Sequence, residues 1–138
     1  MALALMVGVA VQADNSDRSD APGAQLIEAL VARDFDRAES LLAPGIEFKA
    51  HTPTKGFFEL SGSDAVMTLF HEWYEADSVL EGIDTEKVVD RQRVGYRIRW
   101  TSPDGSAFVF AQQAFYDVAG GRITHMQLVC SGDRSLAS

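Results

Sequence analysis

Three residues of this chain combine suitable chemistry with positions where a ligand could meet them: His51, Gln112 and Tyr116. His51 closes an alternating stretch just before Thr52-Pro53. An imidazole at a strand end, at the mouth of a hollow, serves as general acid or base near neutral pH; otherwise it is an ordinary loop-edge histidine. Gln112 and Tyr116 lie four apart in a run with strand alternation, so they share one face. There an amide or a phenol orients a carbonyl or hydroxyl of a ligand, or satisfies a buried polar neighbour. Phe48, Trp73, Tyr96, Trp100, Phe110, Met126 and Leu128 are the large apolar groups expected to line the same hollow. Trp73, Tyr96 and Trp100 read as core or wall rather than as reacting groups.

Other pairings carry less. His71 and Glu75 have the i, i+4 spacing of shared ligands, but on a helical wheel they oppose Val66, Leu69, Phe70 and Trp73 and should face water. The segment His71-Glu72-Trp73-Tyr74-Glu75 lacks the second histidine of a zinc-protease motif, so no metal is implied. Cys130 and His125 are five apart on an expected strand, which sends them to opposite faces. Cys130 then reads as a small core residue. Arg91, Arg93, Arg97 and Arg99 fall on one strand face, either as a contact surface for a second copy or as a solvated stripe paired with Glu81, Glu86 or Asp117.

The elements that must position these residues follow from periodicity. Leu26, Ile27, Leu30 and Val31 recur at helical spacing, and Phe35, Ala38, Leu41 and Leu42 form a second short helical face with Asp36 and Glu39 at its start. Pro44-Gly45 stops it. Ile46, Phe48 and Ala50 alternate with Glu47, Lys49 and His51 as a half-buried strand, followed by a long loop through Pro53 and Gly56. Ser61 and Asp64 offer a cap for a third helix. From Ser78 the alternation is of strand type, broken at Asp90-Arg91-Gln92, Pro103-Asp104-Gly105 and Gly120-Gly121, which predicts a four-stranded meander. Val94, Tyr96, Ile98 and Trp100 share one face, as do Phe108, Phe110, Gln112, Ala114 and Tyr116, and Met126, Leu128 and Cys130. A single β-bulge would exchange such faces. Consecutive strands exclude parallel crossovers, so the expected class is α+β: about three N-terminal helices packed on a curved antiparallel sheet that leaves a cone-shaped hollow.

At 138 residues the chain is sized for one domain. Twenty acidic against 12 basic residues give a net charge of -8, which argues against nucleic acid, and no apolar run reaches the roughly 18 residues of a membrane span. One cysteine excludes an internal disulfide. Residues 1–23 read as an apolar segment plus polar linker, 24–132 as the domain, and 133–138 as a C-terminal tail. Met1 to Val11 followed by Val11-Gln12-Ala13 resembles a secretory signal without its basic start; a misassigned start codon or a docked helix are the other readings. The compartment, cytoplasmic or exported, turns on residues 1–13.

The order helix pair, strand, loop, helix and four-stranded meander resembles the nuclear transport factor 2-like superfamily, in particular its SnoaL-like branch. The echoes are Leu26-Ile27-Glu28-Ala29-Leu30 with Asp34-Phe35, the helix start Gly62 to Val66, and the ending from Gln112-Gln113-Ala114-Phe115-Tyr116-Asp117-Val118 through Gly121-Arg122-Ile123 to Cys130-Ser131-Gly132. The resemblance covers roughly residues 24–132 and implies a cone-shaped fold with an apolar pocket for a small apolar or cyclic ligand. It also implies a homodimer through the outer sheet, and no metal or organic cofactor. Ketosteroid-isomerase roles do not carry over: Thr52 stands before Pro53 where the base is expected, and the first helix has no Tyr. Limonene-epoxide-hydrolase roles do not either, since Arg99-Trp100-Thr101 lacks the acid. The acid that SnoaL-type cyclases use on the late sheet has no clear counterpart unless Asp117 serves. The expected function is a cofactor-independent acid–base enzyme of cyclase, isomerase or dehydratase type, or a non-catalytic binding or dimeric interaction module.

Overall fold

A computed structural model describes residues 21–136. The apolar segment and most of its linker lie outside the described residues. Helix α1 (Pro22–Val31) begins with proline at its first position, where no amide partner is needed, and buries Ala24, Leu26, Ile27, Ala29 and Leu30. Arg33 takes a left-handed conformation (φ 60°) just past the helix end, with Asp34 N–H donating to Ala29 O at 2.9 Å and Arg33 N–H to Leu30 O at 3.0 Å. The turn feeds α2 (Phe35–Ser40), whose cap is Asp34, accepting from Arg37 N–H at 3.3 Å, rather than the expected Asp36–Glu39 pair.

Strand β1 (Leu42–Thr52) alternates as expected, with Ile46, Phe48, Ala50 and Thr52 inward. The long loop expected next is instead a tight turn into β2 (Gly56–Ser61), antiparallel to β1. Phe58 and Leu60 half-bury one face of β2, a period too short to stand out beside Pro53 and Gly56. Ser61 does not cap helix α3 (Ser63–Trp73); its hydroxyl donates to Glu47 Oε2 at 2.8 Å, and Gly62, at φ 91°, occupies the cap position. Strands β3 (Ser78–Val88), β4 (Arg91–Thr101), β5 (Ala107–Ala119) and β6 (Arg122–Cys130) form the meander. Gly120 and Gly121, both at positive φ, make the β5–β6 turn that only a pair of such residues allows without strain.

The sheet order is β2-β1-β6-β5-β4-β3. It is not wholly antiparallel: β6 returns alongside β1 in parallel, because the intervening chain crosses back to reach it. Arg134–Ser135, expected within a tail, add a two-residue strand β7 to β5. Bulges interrupt the ladders at Leu80/Gly82 and Asp117/Val118, yet the faces of β4, β5 and β6 hold through the site region. The helices cover the concave face over one core, in which Phe70 of α3 meets Phe48 edge-on at 5.8 Å. No described helix is long and apolar enough to cross a membrane.

Candidate functional site

Tyr96, Gln112 and Cys130 are register partners on β4, β5 and β6, so their side chains stand side by side on the concave face. The Tyr96 hydroxyl donates to Gln112 Oε1 at 2.5 Å. Tyr74, just past the end of α3, comes down on this group from the opposite side, and its buried hydroxyl has no hydrogen-bond partner of normal geometry. It nevertheless lies near the Tyr96 hydroxyl and the Cys130 thiol. Burial pushes the Tyr74 phenol far above its ordinary range, with the Tyr96 hydroxyl pulling part of the way back. Burial likewise holds Tyr96 well above that range, reinforced by Tyr74 and Cys130. Both phenols therefore stay protonated at neutral pH and serve as donors, not bases.

Gln112 and Cys130 open into a cavity of about 120 Å³ whose walls are Trp73 and Phe110. Thr52, Pro53, Thr54, Lys55, Gly132 and Asp133 complete its lining. The rim is knitted tightly: Lys55 N–H donates to Thr52 Oγ1 at 3.1 Å, and Trp100 Nε1 donates to Asp133 Oδ1 at 2.8 Å while stacking on Phe108 at 4.6 Å. Gly132 is required where it is. At φ 85° it passes so close to Pro53 that a Cβ would lie 2.8 Å from the ring. Lys55 and Asp133 are the charged side chains of this lining.

Of the residues singled out in the sequence, Gln112, Trp73 and Phe110 line the cavity and Tyr96 braces Gln112 from behind. The structure does not bring His51 or Tyr116 to them. His51 is exposed on the outer face, opposite Phe57 and Val129, because β1 runs on to Thr52 and odd positions point outward. Tyr116 is fully buried, accepts from Gly23 N–H of α1 at 3.0 Å and donates to Gln92 Oε1 at 3.1 Å, so it anchors the first helix. Phe48, Met126 and Leu128 are packed in the core, and Trp100 sits at the rim. Tyr74, Thr52 and the Cys130 thiol were not foreseen here. Tyr74 continues the Met67–Phe70 stripe at i+7 and i+4, which is the signal that would have found it.

The outer face carries a larger but shallow depression of about 700 Å³ over Gly82, Gly95 and Ala111, between Arg93 and Arg97. The arginine stripe is paired: Arg93 with Asp84 and Glu86, Arg99 and Arg97 with Glu81, Arg91 with Asp117. Of these two, the inward cavity combines aromatic lining from Trp73 and Phe110 with the hydrogen-bonded amide of Gln112, which makes it the candidate site.

The SnoaL-like domain family matches residues 24–126. The chain belongs to that family. Several solved structures share the fold at low identity. A candidate polyketide cyclase of Xanthomonas campestris pv. campestris superposes with a TM-score of 0.66 at 19% identity, covering 82% of this chain and 90% of that one. A second, from Pseudomonas putida KT2440, gives 0.65 at 13% identity over 78% and 86%. An epoxide hydrolase of Mycobacterium tuberculosis resembling limonene epoxide hydrolase gives 0.61 at 16% over 80% of each chain. At such identity they show the nuclear transport factor 2-like fold and nothing of the chemistry. No curated protein matches the sequence.

Proposed function

We propose that this SnoaL-like protein takes up a compact, largely apolar molecule bearing a carbonyl or hydroxyl oxygen, with the ring between Trp73 and Phe110 and the oxygen on the Gln112 amide. The observation that carries this is the Tyr96–Gln112 hydrogen bond at the floor of an apolar-walled cavity. With its Oε1 engaged by Tyr96, the Gln112 amide presents N–H donors, so the complementary ligand group is an acceptor. Size narrows the class: a cavity of about 120 Å³ is close to the roughly 150 Å³ that holds a benzene ring. One ring fits, and a fused polycycle would protrude past Lys55 and Asp133. In the catalytic form of this reading, an acid–base reaction of cyclase, isomerase or dehydratase type, Gln112 steadies charge developing on the oxygen while Asp133 at the rim takes or returns a proton. The test is a thermal-unfolding panel of single-ring ketones and phenols, since a ligand that binds only the folded state raises the midpoint with concentration. No response from any single-ring oxygenated compound would sink the reading.

A second reading, the interaction module, is favoured by one observation on the outer face. Phe57 and Val129 stand 61% and 57% exposed on either side of His51. Apolar groups so placed suit a contact with a second copy, and the sedimentation behaviour of the wild type and Val129→Glu checks it.

A further inference from the structure

Strand β6 pairs with β5 as far as the Gln112–Cys130 partners, which leaves the same side of β5 from Ala107 to Ala111 for the residues that follow. Ser131 takes the first place there: its N–H donates to Ala111 O at 2.8 Å, and its hydroxyl accepts the Ala111 N–H at 2.9 Å. Farther along, β7 pairs Arg134 with Val109 and Ser135 with Phe108, and Leu136 N–H donates to Ala107 O at 2.9 Å. Between these attachments Gly132 and Asp133 line the cavity. Gly132 lies against Pro53, and Asp133 Oδ1 accepts the Trp100 indole N–H at 2.8 Å. Residues 133–136 are all exposed, and their one large apolar group, Leu136, keeps 45% of its surface in water. A segment with so little apolar burial opens at much lower free energy than the whole domain unfolds. The rest of the lining is better secured. Trp73 ends α3, and Phe110, Gln112 and Cys130 stand on β5 and β6, elements that share the core, while the Thr52–Lys55 turn is closed by the Thr52–Gly56 pair. Gly132 and Asp133 are therefore the part of the lining that can leave while the core stays folded.

We propose that residues 132–136 are a releasable cover of the cavity, latched by the Trp100–Asp133 hydrogen bond, and that a single-ring ligand enters and leaves by its release. The inference rests on the cavity reading given above. Ser131 is the fixed end, held to Ala111 through both its main chain and its side chain. Gly132, at φ 85°, is the hinge, since a glycine backbone reaches conformations closed to other residues. Release breaks the short β7 ladder, the Leu136 bond and the indole latch, and it carries Gly132 off Pro53 and Asp133 out of the lining. The latch is made in the empty and in the filled protein alike. Weakening it therefore speeds entry and exit by the same factor and leaves the affinity unchanged, because a ligand responds only to differences between the states it binds.

The experiment follows amide hydrogen exchange of the full chain by NMR, with cyclohexanone as the ring probe. In the wild type the Leu136 amide should exchange by local opening, at a rate insensitive to low urea, while residues 112–116 of central β5 exchange through global unfolding. Trp100→Phe removes the indole donor and keeps a ring against Phe108. It should speed Leu136 exchange about tenfold, the worth of one hydrogen bond, whereas Asp133→Asn, which retains an acceptor, should stay within about twofold of wild type. Cyclohexanone line shapes should show association and dissociation both about tenfold faster in Trp100→Phe, with Kd unchanged. Circular dichroism confirms that Trp100→Phe is folded, and Asp133→Ala takes its place if it is not. Leu136 protection equal to that of residues 112–116 overturns the cover. Faster Leu136 exchange with unchanged cyclohexanone rates, or with a changed Kd at an unchanged association rate, overturns its role as the entrance while the cavity reading stands. Absence of cyclohexanone binding overturns the cavity reading and the entrance with it.

Discussion

Replacing Tyr116 by Phe removes a single oxygen from the centre of the fold, and its consequence is calculable. Helix α1 starts at Ala21, which offers no side-chain cap, so the amide of Gly23 finds its acceptor across the protein in the Tyr116 hydroxyl at 3.0 Å. The helix is capped by the sheet. In Tyr116→Phe that amide is buried without a partner, costing about 1–3 kcal/mol, while the exchanged Gln92 contact at 3.1 Å reaches a half-buried side chain that water can serve. A loss of about 2 kcal/mol follows, or roughly 6 °C in the unfolding midpoint for a domain of this size. The urea midpoint should fall with an unchanged slope. Ligand-induced stabilisation should be the same size as in the wild type, since Tyr116 lies outside the cavity. Gly23→Ala gives an independent reading of the same contact. Alanine normally gains about 1 kcal/mol over glycine within a helix, but here its Cβ would lie 2.5 Å from the Tyr116 ring, and the ring is fully buried. The variant should lose stability instead, by about 1–3 kcal/mol. A Tyr116→Phe midpoint within about 1 °C of wild type, together with a stabilised Gly23→Ala, would refute the anchoring argument.

Three further outcomes follow from the same structure. All three tyrosines, Tyr74, Tyr96 and Tyr116, are held above the ordinary phenol range chiefly by burial, so the folded state keeps protons that the unfolded chain releases. Their stabilisation is complete below about pH 10 and is lost as pH rises beyond it; phenolate absorbance should lag that of the urea-unfolded chain, and the urea midpoint should drop in the same window. Arg33→Gly relieves a left-handed residue worth about 1–2 kcal/mol and gives up the exposed Arg33–Asp77 pair, itself worth under about 1 kcal/mol; a small net rise in thermal midpoint is expected. On the interaction-module reading, Val129→Glu places a charge beside exposed Phe57 and His51 and should shift sedimentation towards the monomer while leaving the unfolding midpoint of the monomer unchanged.

Much of the sheet was legible because alternation is a local property. The inward sets Val94–Tyr96–Ile98, Gln112–Ala114–Tyr116 and Met126–Leu128 are buried as the pattern requires, since the bulges fall outside those stretches. His51 shows the same rule applied too little: the alternation that identified its strand also sends its side chain outward, and position next to a loop does not outweigh parity. What alternation cannot tell is which helix covers an inward residue. Tyr116 and Gln112 share a face, yet one meets Gly23 of α1 and the other an open cavity. Phe48 likewise faces inward and is closed off by Phe70 of α3. The hairpin strand β2 escaped notice because six residues beginning at a glycine present only two inward apolar groups, Phe58 and Leu60. Tyr74 was within reach through helical spacing, but its approach to Tyr96 and Cys130 depends on contacts between elements far apart in sequence.

The central claim is that Gln112, oriented by Tyr96, recognises the oxygen of a single-ring ligand. It is tested most directly by titrating cyclohexanone and its aromatic counterparts against the wild type and Gln112→Leu while following the unfolding midpoint. The account predicts a concentration-dependent rise in the wild type and about tenfold weaker binding in the variant, the worth of one buried hydrogen bond. Equal affinity in both proteins, or a response confined to compounds too large for the cavity, would contradict it.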